Sequence, residues 1–449
     1  MIRLGGLGLA IFVGLELSLR IFQPSSLDYY RKLKLLHVYH PEYLVGLEPG
    51  VDYYLRHNNG LWEGRFTINS LGYRGSVEPA PDDTVLGCLG DSLVMGFGVS
   101  DEDTFCRRLD GIELSGRRMR TQNLGVDAFG SQGYAARLDE AVHEKLPNLR
   151  TVLLFISPND FTLPQELRDR GILPDDDTDA IRERNPGFKS AFRVQFELTR
   201  YFFTLHAASV ARQQLIIRRA LLEKNMRREL VESGLLEYRP AIDGAIPENE
   251  RGFRNYLRRS FYRVPTPPVC APNNAHEAPA PDAAQTSTST ATVTRPNCPQ
   301  AIPEQVQCQA RAPQASDLEP LPEITRRAYE RMIRTARENN VRLIIVFLPV
   351  QMETLYCEMN GKYSRFFDHA IRAGGFFRSQ GIETVDLRPY VGEMCGEALE
   401  TNAAGEPTRY SGVTDYIIQG DGHLTDAGNR WAARSLVREL KKLAEANAF

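Results

Sequence analysis

Ser92 stands in Gly90-Asp91-Ser92-Leu93, with Gly96 and Gly98 close behind it. A glycine ahead of a serine lets the backbone turn tightly and leaves room for a substrate. A serine hydroxyl becomes a nucleophile only beside a base that takes its proton. Of the eight histidines, His423 stands out, in Gly420-Asp421-Gly422-His423-Leu424-Thr425-Asp426-Ala427-Gly428. Asp421, two residues earlier, is spaced to hold that imidazole in one tautomer and to stabilise its protonated form. His369 is the rival base, directly after Asp368, but it falls inside a helical pattern. Asp426 reads as the N-terminal charge of the last helix. An oxyanion needs amide donors. Asn159, in Ser157-Pro158-Asn159-Asp160, supplies a side-chain amide, and the small residues of 123–130 supply backbone N–H groups.

These residues are useful only if the chain brings them to one edge. Strand-like runs are expected at 84–89, 120–126, 150–156, 341–350 and 382–387, several of them nearly continuous apolar stretches as in strands covered on both faces. Amphipathic helical stretches at 102–115, 131–144, 322–340, 363–380 and 425–446 alternate with them. That alternation predicts an α/β fold, a doubly wound parallel five-stranded sheet whose ligands gather at the carboxyl ends of the strands. Ser92, the 123–130 loop and Asn159 follow the first three strands, and His423 precedes the last helix.

The expected organisation is an N-terminal anchor (1–24), an extended lead-in (25–80), a first part of the catalytic domain (81–160), an insertion (161–320) and a second part (321–449). The insertion separates the third and fourth strands. Its 188–234 stretch is a basic amphipathic helical pattern, with Phe192, Phe196 and Phe203 on one face, expected to pack on the core. Residues 264–316 hold 10 of the 27 prolines and no aromatic residue, which predicts a loop unable to bury a core. Cys270, Cys298 and Cys308 could clip that loop in an oxidising compartment, and Cys357 with Cys395 is a second candidate pair.

Composition narrows the function classes. With 54 basic and 57 acidic residues the net charge of −3 provides no field for nucleic acid, and 42% hydrophobic with 25% charged residues is ordinary for a globular chain. No His, Cys or acidic cluster has metal-ligand spacing and no phosphate loop is present, so neither a metal nor another cofactor is expected. Leu4 to Phe22 is apolar apart from Glu16 and Arg20, long enough to cross about 30 Å of hydrocarbon as a helix. Arg31, Lys32 and Lys34 behind it outweigh Arg3, so a positive-inside count argues for the opposite topology to an exported domain and leaves the side open.

The blocks at 66–160 and 322–446 resemble the GDSL, or SGNH, hydrolase family. The segment Phe66-Thr67-Ile68-Asn69-Ser70-Leu71-Gly72-Tyr73-Arg74-Gly75 looks like that of a membrane-anchored bacterial subgroup. The resemblance implies Ser92 as nucleophile, Ala128 and Asn159 as oxyanion donors, His423 as base and Asp421 as its partner. It also implies a single-pass protein with a periplasmic or otherwise extracytoplasmic domain. Three departures stand out: Ala128 where the family has glycine, Ser157 where the third block opens with glycine, and Asp-x-His where many members have Asp-x-x-His. The expected activity is hydrolysis of an acyl or acetyl ester, carbohydrate esters among them. Acyl transfer to a polysaccharide by the same residues, and a tethered binding protein with a vestigial triad, are the alternatives. Oligomeric state is not legible.

Overall fold

The computed structural model describes residues 2–127, 130–157, 186–215, 237–238, 262–263, 302, 306–318, 320–401, 407–419 and 421–446. Two compact units divide the chain, 1–209 together with 296–449, and 210–295. In the second unit the described structure is the end of a helix at 210–215 and a short antiparallel ladder, described below. Most of the insertion expected at 161–320, including the larger part of its proline-rich loop, lies outside the described residues; the end of that loop, from 306, is described.

The first unit begins with α1 (Ile2–Phe22) and α2 (Ser25–Leu36), then two antiparallel hairpins, β1 (His37–His40) with β2 (Leu44–Leu47) and β3 (Asp52–Arg56) with β4 (Glu63–Thr67). The lead-in is therefore not simply extended. α2 forms because Tyr29, Leu33 and Leu36 recur at helical spacing and pack on the core. Among the described residues no single helix is long and apolar enough to cross a membrane; α1 and α2 pass that test only as a pair bent by 96°.

The α/β part follows: β5 (Thr84–Leu89), α3 (Ser92–Met95), α4 (Phe105–Arg108), β6 (Glu113–Leu114), β7 (Arg117–Asn123), α5 (Ser131–Glu140) and β8 (Leu149–Ile156). Next come α6 (Pro186–Tyr201) and α7 (203–215), and the two-residue strands β9 (Glu237–Tyr238) and β10 (Tyr262–Arg263), which pair antiparallel. The chain then forms α8 (Glu323–Glu338), β11 (Arg342–Phe347), α9 (Met352–Met359), α10 (Asp368–Ser379) and β12 (Glu383–Asp386). It closes with a hairpin of β13 (Ala398–Thr401) and β14 (Pro407–Tyr410), and with α11 (Asp426–Ala446).

The central sheet runs β12-β11-β8-β5-β7-β6. Five strands are parallel and β6 is an antiparallel edge strand, so the sheet is mixed and has six strands where five parallel ones were expected. The cause is local. The helix expected over 102–115 is only one turn long: Thr104 caps a fresh start, the helix closes at Leu109, and Gly111, at φ +82°, turns the chain toward the β6–β7 hairpin with its N–H on the Met119 carbonyl.

Period-two alternation sorts the strand residues between two cores. Val152, Leu154 and Ile156 face one side with Leu343 and Ile345, while Leu153 and Phe155 face the other with Ile344 and Val346. Tyr329, Met332 and Ile333 of α8 and Phe377 of α10 cover the first face; Trp431 and Leu436 of α11 cover the second. Along this sheet the chain passes from β5 to β7 on one side and then to β8 on the other. Such a reversal opens a crevice beyond the strand ends.

Cysteine pairing differs from expectation. Cys308 pairs with Cys357, at a Cα separation of 5.5 Å, and Cys88 pairs with Cys106, at 6.1 Å. Backbone bonds between Gln309 and Tyr363 deliver Cys308 to α9, which takes Cys357 away from Cys395. Cys395 is itself disulfide-bonded.

Candidate active site

β5 stops at Leu89 and Ser92 opens α3. The turn is tight because Gly90 has no side chain: a Cβ there would stand 2.3 Å from Val94 Cγ2. Asp91 caps the helix, its Oδ1 accepting from the Leu93 backbone N–H at 3.0 Å. The loop after β7 is drawn onto the same turn. Asn123 donates its amide to the Val94 carbonyl at 2.8 Å, and the Val126 N–H bonds the Gly90 carbonyl at 3.1 Å. Gly125 permits this approach, since a Cβ would stand 2.3 Å from the Met95 nitrogen.

Arg74 fastens the stretch that follows the serine. Its guanidinium, buried and lying 3.5 Å from the Phe66 ring centroid, donates to the carbonyls of Met95, Gly96, Val99 and Arg65 and pairs with Asp101 at 2.5 Å. The Phe97 N–H in turn bonds the Ser92 carbonyl at 3.0 Å. Arg74 belongs to the segment that carried the subgroup resemblance, and its bonds hold the loop behind Ser92.

On the opposite side, Ile418 and His423 close a turn, with the Ile418 N–H on the His423 carbonyl at 2.7 Å. Asn429 of α11 accepts from the Phe105 N–H of α4 at 2.9 Å, and Arg108 pairs with Asp426 at 2.6 Å. These bonds fix the C-terminal loop against the serine segment. Ser92 Oγ and His423 Nε2 come to 2.8 Å, and His423 Nδ1 meets Asp421 Oδ1. With Nδ1–H donating to the carboxylate, Nε2 is the acceptor for the serine hydroxyl.

Asp421 is half-buried. Burial alone would raise its carboxyl, but the hydrogen bond and charge of His423, the Trp62 indole and the His423 backbone N–H outweigh it and hold the group below the usual carboxylate range. It is therefore ionised at neutral pH. His369 is placed elsewhere: it is buried in α10, with Nδ1 on the Phe366 carbonyl at 2.9 Å, and burial pushes it down to about 4. Ala128 and Asn159 lie outside the described residues. Ser157, at the end of β8, is buried.

No protein-family model matches the sequence, and no curated protein matches it. Among solved structures, the chain is similar to a protein from Desulfitobacterium hafniense DCB-2 assigned to the G-D-S-L family of lipolytic proteins. That likeness has a TM-score of 0.28 at 9% identity, covering 79% of this chain and 99% of the other.

Two contacts around this constellation had no signal in the motif pattern. Trp62, from the β3–β4 turn, donates its indole N–H to Asp421 Oδ2 at 3.1 Å. His37, where α2 meets β1, contacts the Asp127 carboxylate through Nε2 and the Leu33 carbonyl through Nδ1 at 2.7 Å. Asp127 directly precedes Ala128. Among the described residues, no group of three or more His, Cys, Asp or Glu is gathered to hold a metal ion.

Proposed function

We propose that the chain is a serine-dependent ester hydrolase of the GDSL/SGNH type. The observation that carries this reading is the 2.8 Å contact of Ser92 Oγ with His423 Nε2, on an imidazole whose other nitrogen is held by Asp421. Ser92 Oγ attacks the ester carbonyl as its proton passes to His423 Nε2. Asp421 stabilises the resulting imidazolium. As the tetrahedral species collapses, the C–O bond to the alcohol breaks and His423 returns the proton to the departing oxygen. Water then attacks the acyl-serine with His423 again as base, releasing the acid and restoring Ser92. In this reading the Ala128 N–H and the Asn159 amide receive the developing oxyanion, as the family resemblance implies.

The proposal includes attachment to a membrane through α1, whose Leu7, Leu9, Ile11, Leu15 and Leu17 are all more than half exposed. It also places the hydrolase domain outside the cytoplasm, a reading supported by the disulfides Cys88–Cys106 and Cys308–Cys357.

Labelling with a fluorophosphonate tests the reading, together with hydrolysis of p-nitrophenyl acetate. The wild type is expected to do both and Ser92→Ala neither. Equal labelling of the two proteins would remove Ser92 from the mechanism.

A further inference from the structure

Both oxygens of the Asp421 carboxylate are engaged. Oδ1 accepts from His423 Nδ1 and from the His423 backbone N–H at 3.3 Å, while Oδ2 accepts from the Trp62 indole at 3.1 Å. The donor at Oδ2 comes from 359 residues away, on a hairpin that is no part of the central sheet. A carboxylate with a donor on each oxygen is fixed in rotation as well as position, and its charge is shared between the two donors.

The indole is itself held on several sides. Its ring lies 5.9 Å from Tyr29 of α2, 5.6 Å from His57, 5.9 Å from Phe66 of β4 and 5.0 Å from Phe97. The His57 N–H donates to the Trp62 carbonyl at 3.0 Å. Phe97, in the loop behind Ser92, also packs on the His423 ring at 5.3 Å. Trp62 is 8% exposed, so water does not substitute for its N–H at Oδ2.

We propose that Trp62, in the β3–β4 turn, is a positioning residue for the Asp421–His423 pair, so that this one side chain of the lead-in serves the hydrolytic site. This inference rests on the proposed hydrolase reading. The indole does not touch substrate. It aligns the carboxylate plane with Nδ1–H and draws off part of the negative charge that His423 feels. The titratable groups acting on the pair among the described residues are Tyr29 from α2, His57 from the β3–β4 turn and Asp127 from the loop after β7.

Removing the N–H alone has a defined sign. Without its second donor, Asp421 becomes a stronger acceptor toward His423 and favours the protonated ring more. The acid limb of the pH–rate profile then moves to higher pH, opposite to the shift expected for Asp421→Asn.

The test uses the full-length protein in detergent and compares wild type, Trp62→Phe, and benzothienylalanine at position 62, in which sulfur replaces the indole N–H at nearly constant volume. Arg56→Gln, which breaks the exposed Arg56–Glu63 pair on the same hairpin, is the control for general disturbance. Both changes at position 62 are expected to lower kcat about 5- to 30-fold at unchanged KM, to shift the acid limb upward, and to move the downfield proton resonance of His423 Nδ1–H. Arg56→Gln is expected to leave all three readouts as in wild type. An unchanged acid limb and an unmoved resonance in both position-62 variants would overturn the role of Trp62, and the hydrolase reading would stand as long as Ser92-dependent labelling persists. Absence of that labelling in wild type would overturn both.

Discussion

His37 and Asp127 form an ion pair at the threshold of the loop that carries Ala128, joining the lead-in to the strand-end crevice. Both ring nitrogens of His37 face oxygen acceptors, Asp127 on one side and the Leu33 carbonyl on the other, which suits an imidazolium. Burial works against that charge, but the Asp127 charge and hydrogen bonds outweigh it and raise the histidine. The same partner overcomes burial to lower Asp127.

The sign of the resulting pH dependence follows by linkage. A raised histidine contributes stability that is full below its unfolded value of about 6.5 and is lost as pH rises through the higher folded value. A lowered aspartate contributes above its unfolded value of about 3.9 and is lost as pH falls through the lower folded one. The pair therefore stabilises most between these limits. The Tm difference between wild type and His37→Gln is expected to be larger at pH 6 than at pH 9. A difference that is the same at both pH values would show that the pair is not charged in the folded protein.

Arg74 is expected to be the costliest single polar side chain to remove near the site. Its side chain is 1% exposed and its partner Asp101 14%. Arg74→Met takes the guanidinium donor from the carbonyls of Met95 and Val99 and leaves a carboxylate without its cation, a loss on the order of 3–5 kcal/mol. Urea unfolding reads this directly. Arg74→Met/Asp101→Asn is expected to recover part of the loss. The ester hydrolysis proposed for the chain should fall in both, because the stretch behind Ser92 loses its fastening.

The two candidate bases separate by location. His423→Ala is expected to abolish p-nitrophenyl acetate turnover, whereas His369→Ala keeps it and lowers Tm, since His369 fills space in α10 beside Phe367. Asp421→Asn should cut kcat by about 10³- to 10⁴-fold through loss of the orienting carboxylate, and should move the acid limb to lower pH. Retained turnover in His423→Ala would exclude the C-terminal loop from catalysis.

Cysteine chemistry supplies an independent check. Cys88–Cys106, Cys308–Cys357 and the bridge of Cys395 engage all five cysteines among the described residues, and the sequence has seven. Alkylation of the denatured, unreduced protein is expected to modify a single thiol, and prior reduction to expose seven. Peptide mapping that joined Cys357 to Cys395 would contradict the pairing.

Much of the fold was legible because its signals are local. The β5, β8 and β11 strands announce themselves as apolar runs, since both faces of the sheet are covered and each side chain must be buried whichever way it points. Ser92 and His423 were legible for a related reason. A tight glycine turn and an Asp-x-His loop are written within a few residues, and Asp421 reaches His423 inside one turn. Helix ends were less clear where a cap or a left-handed glycine intervened, as at Thr104 and Gly111.

What only the tertiary structure decided is every contact made across long separations. Nothing local to Trp62 says that its indole will meet a carboxylate in the last tenth of the chain. Nothing local to His37 points to Asp127, and the five oxygen partners of Arg74 are assembled only when β4 packs against the loop behind β5. Cysteine pairing belongs to the same class: Cys308 meets Cys357 because a two-residue bridge at Gln309 and Tyr363 places it there. Such contacts leave no periodicity in the sequence. A hydrogen bond or a disulfide depends on separations of a few ångströms, and those are set by how whole elements pack.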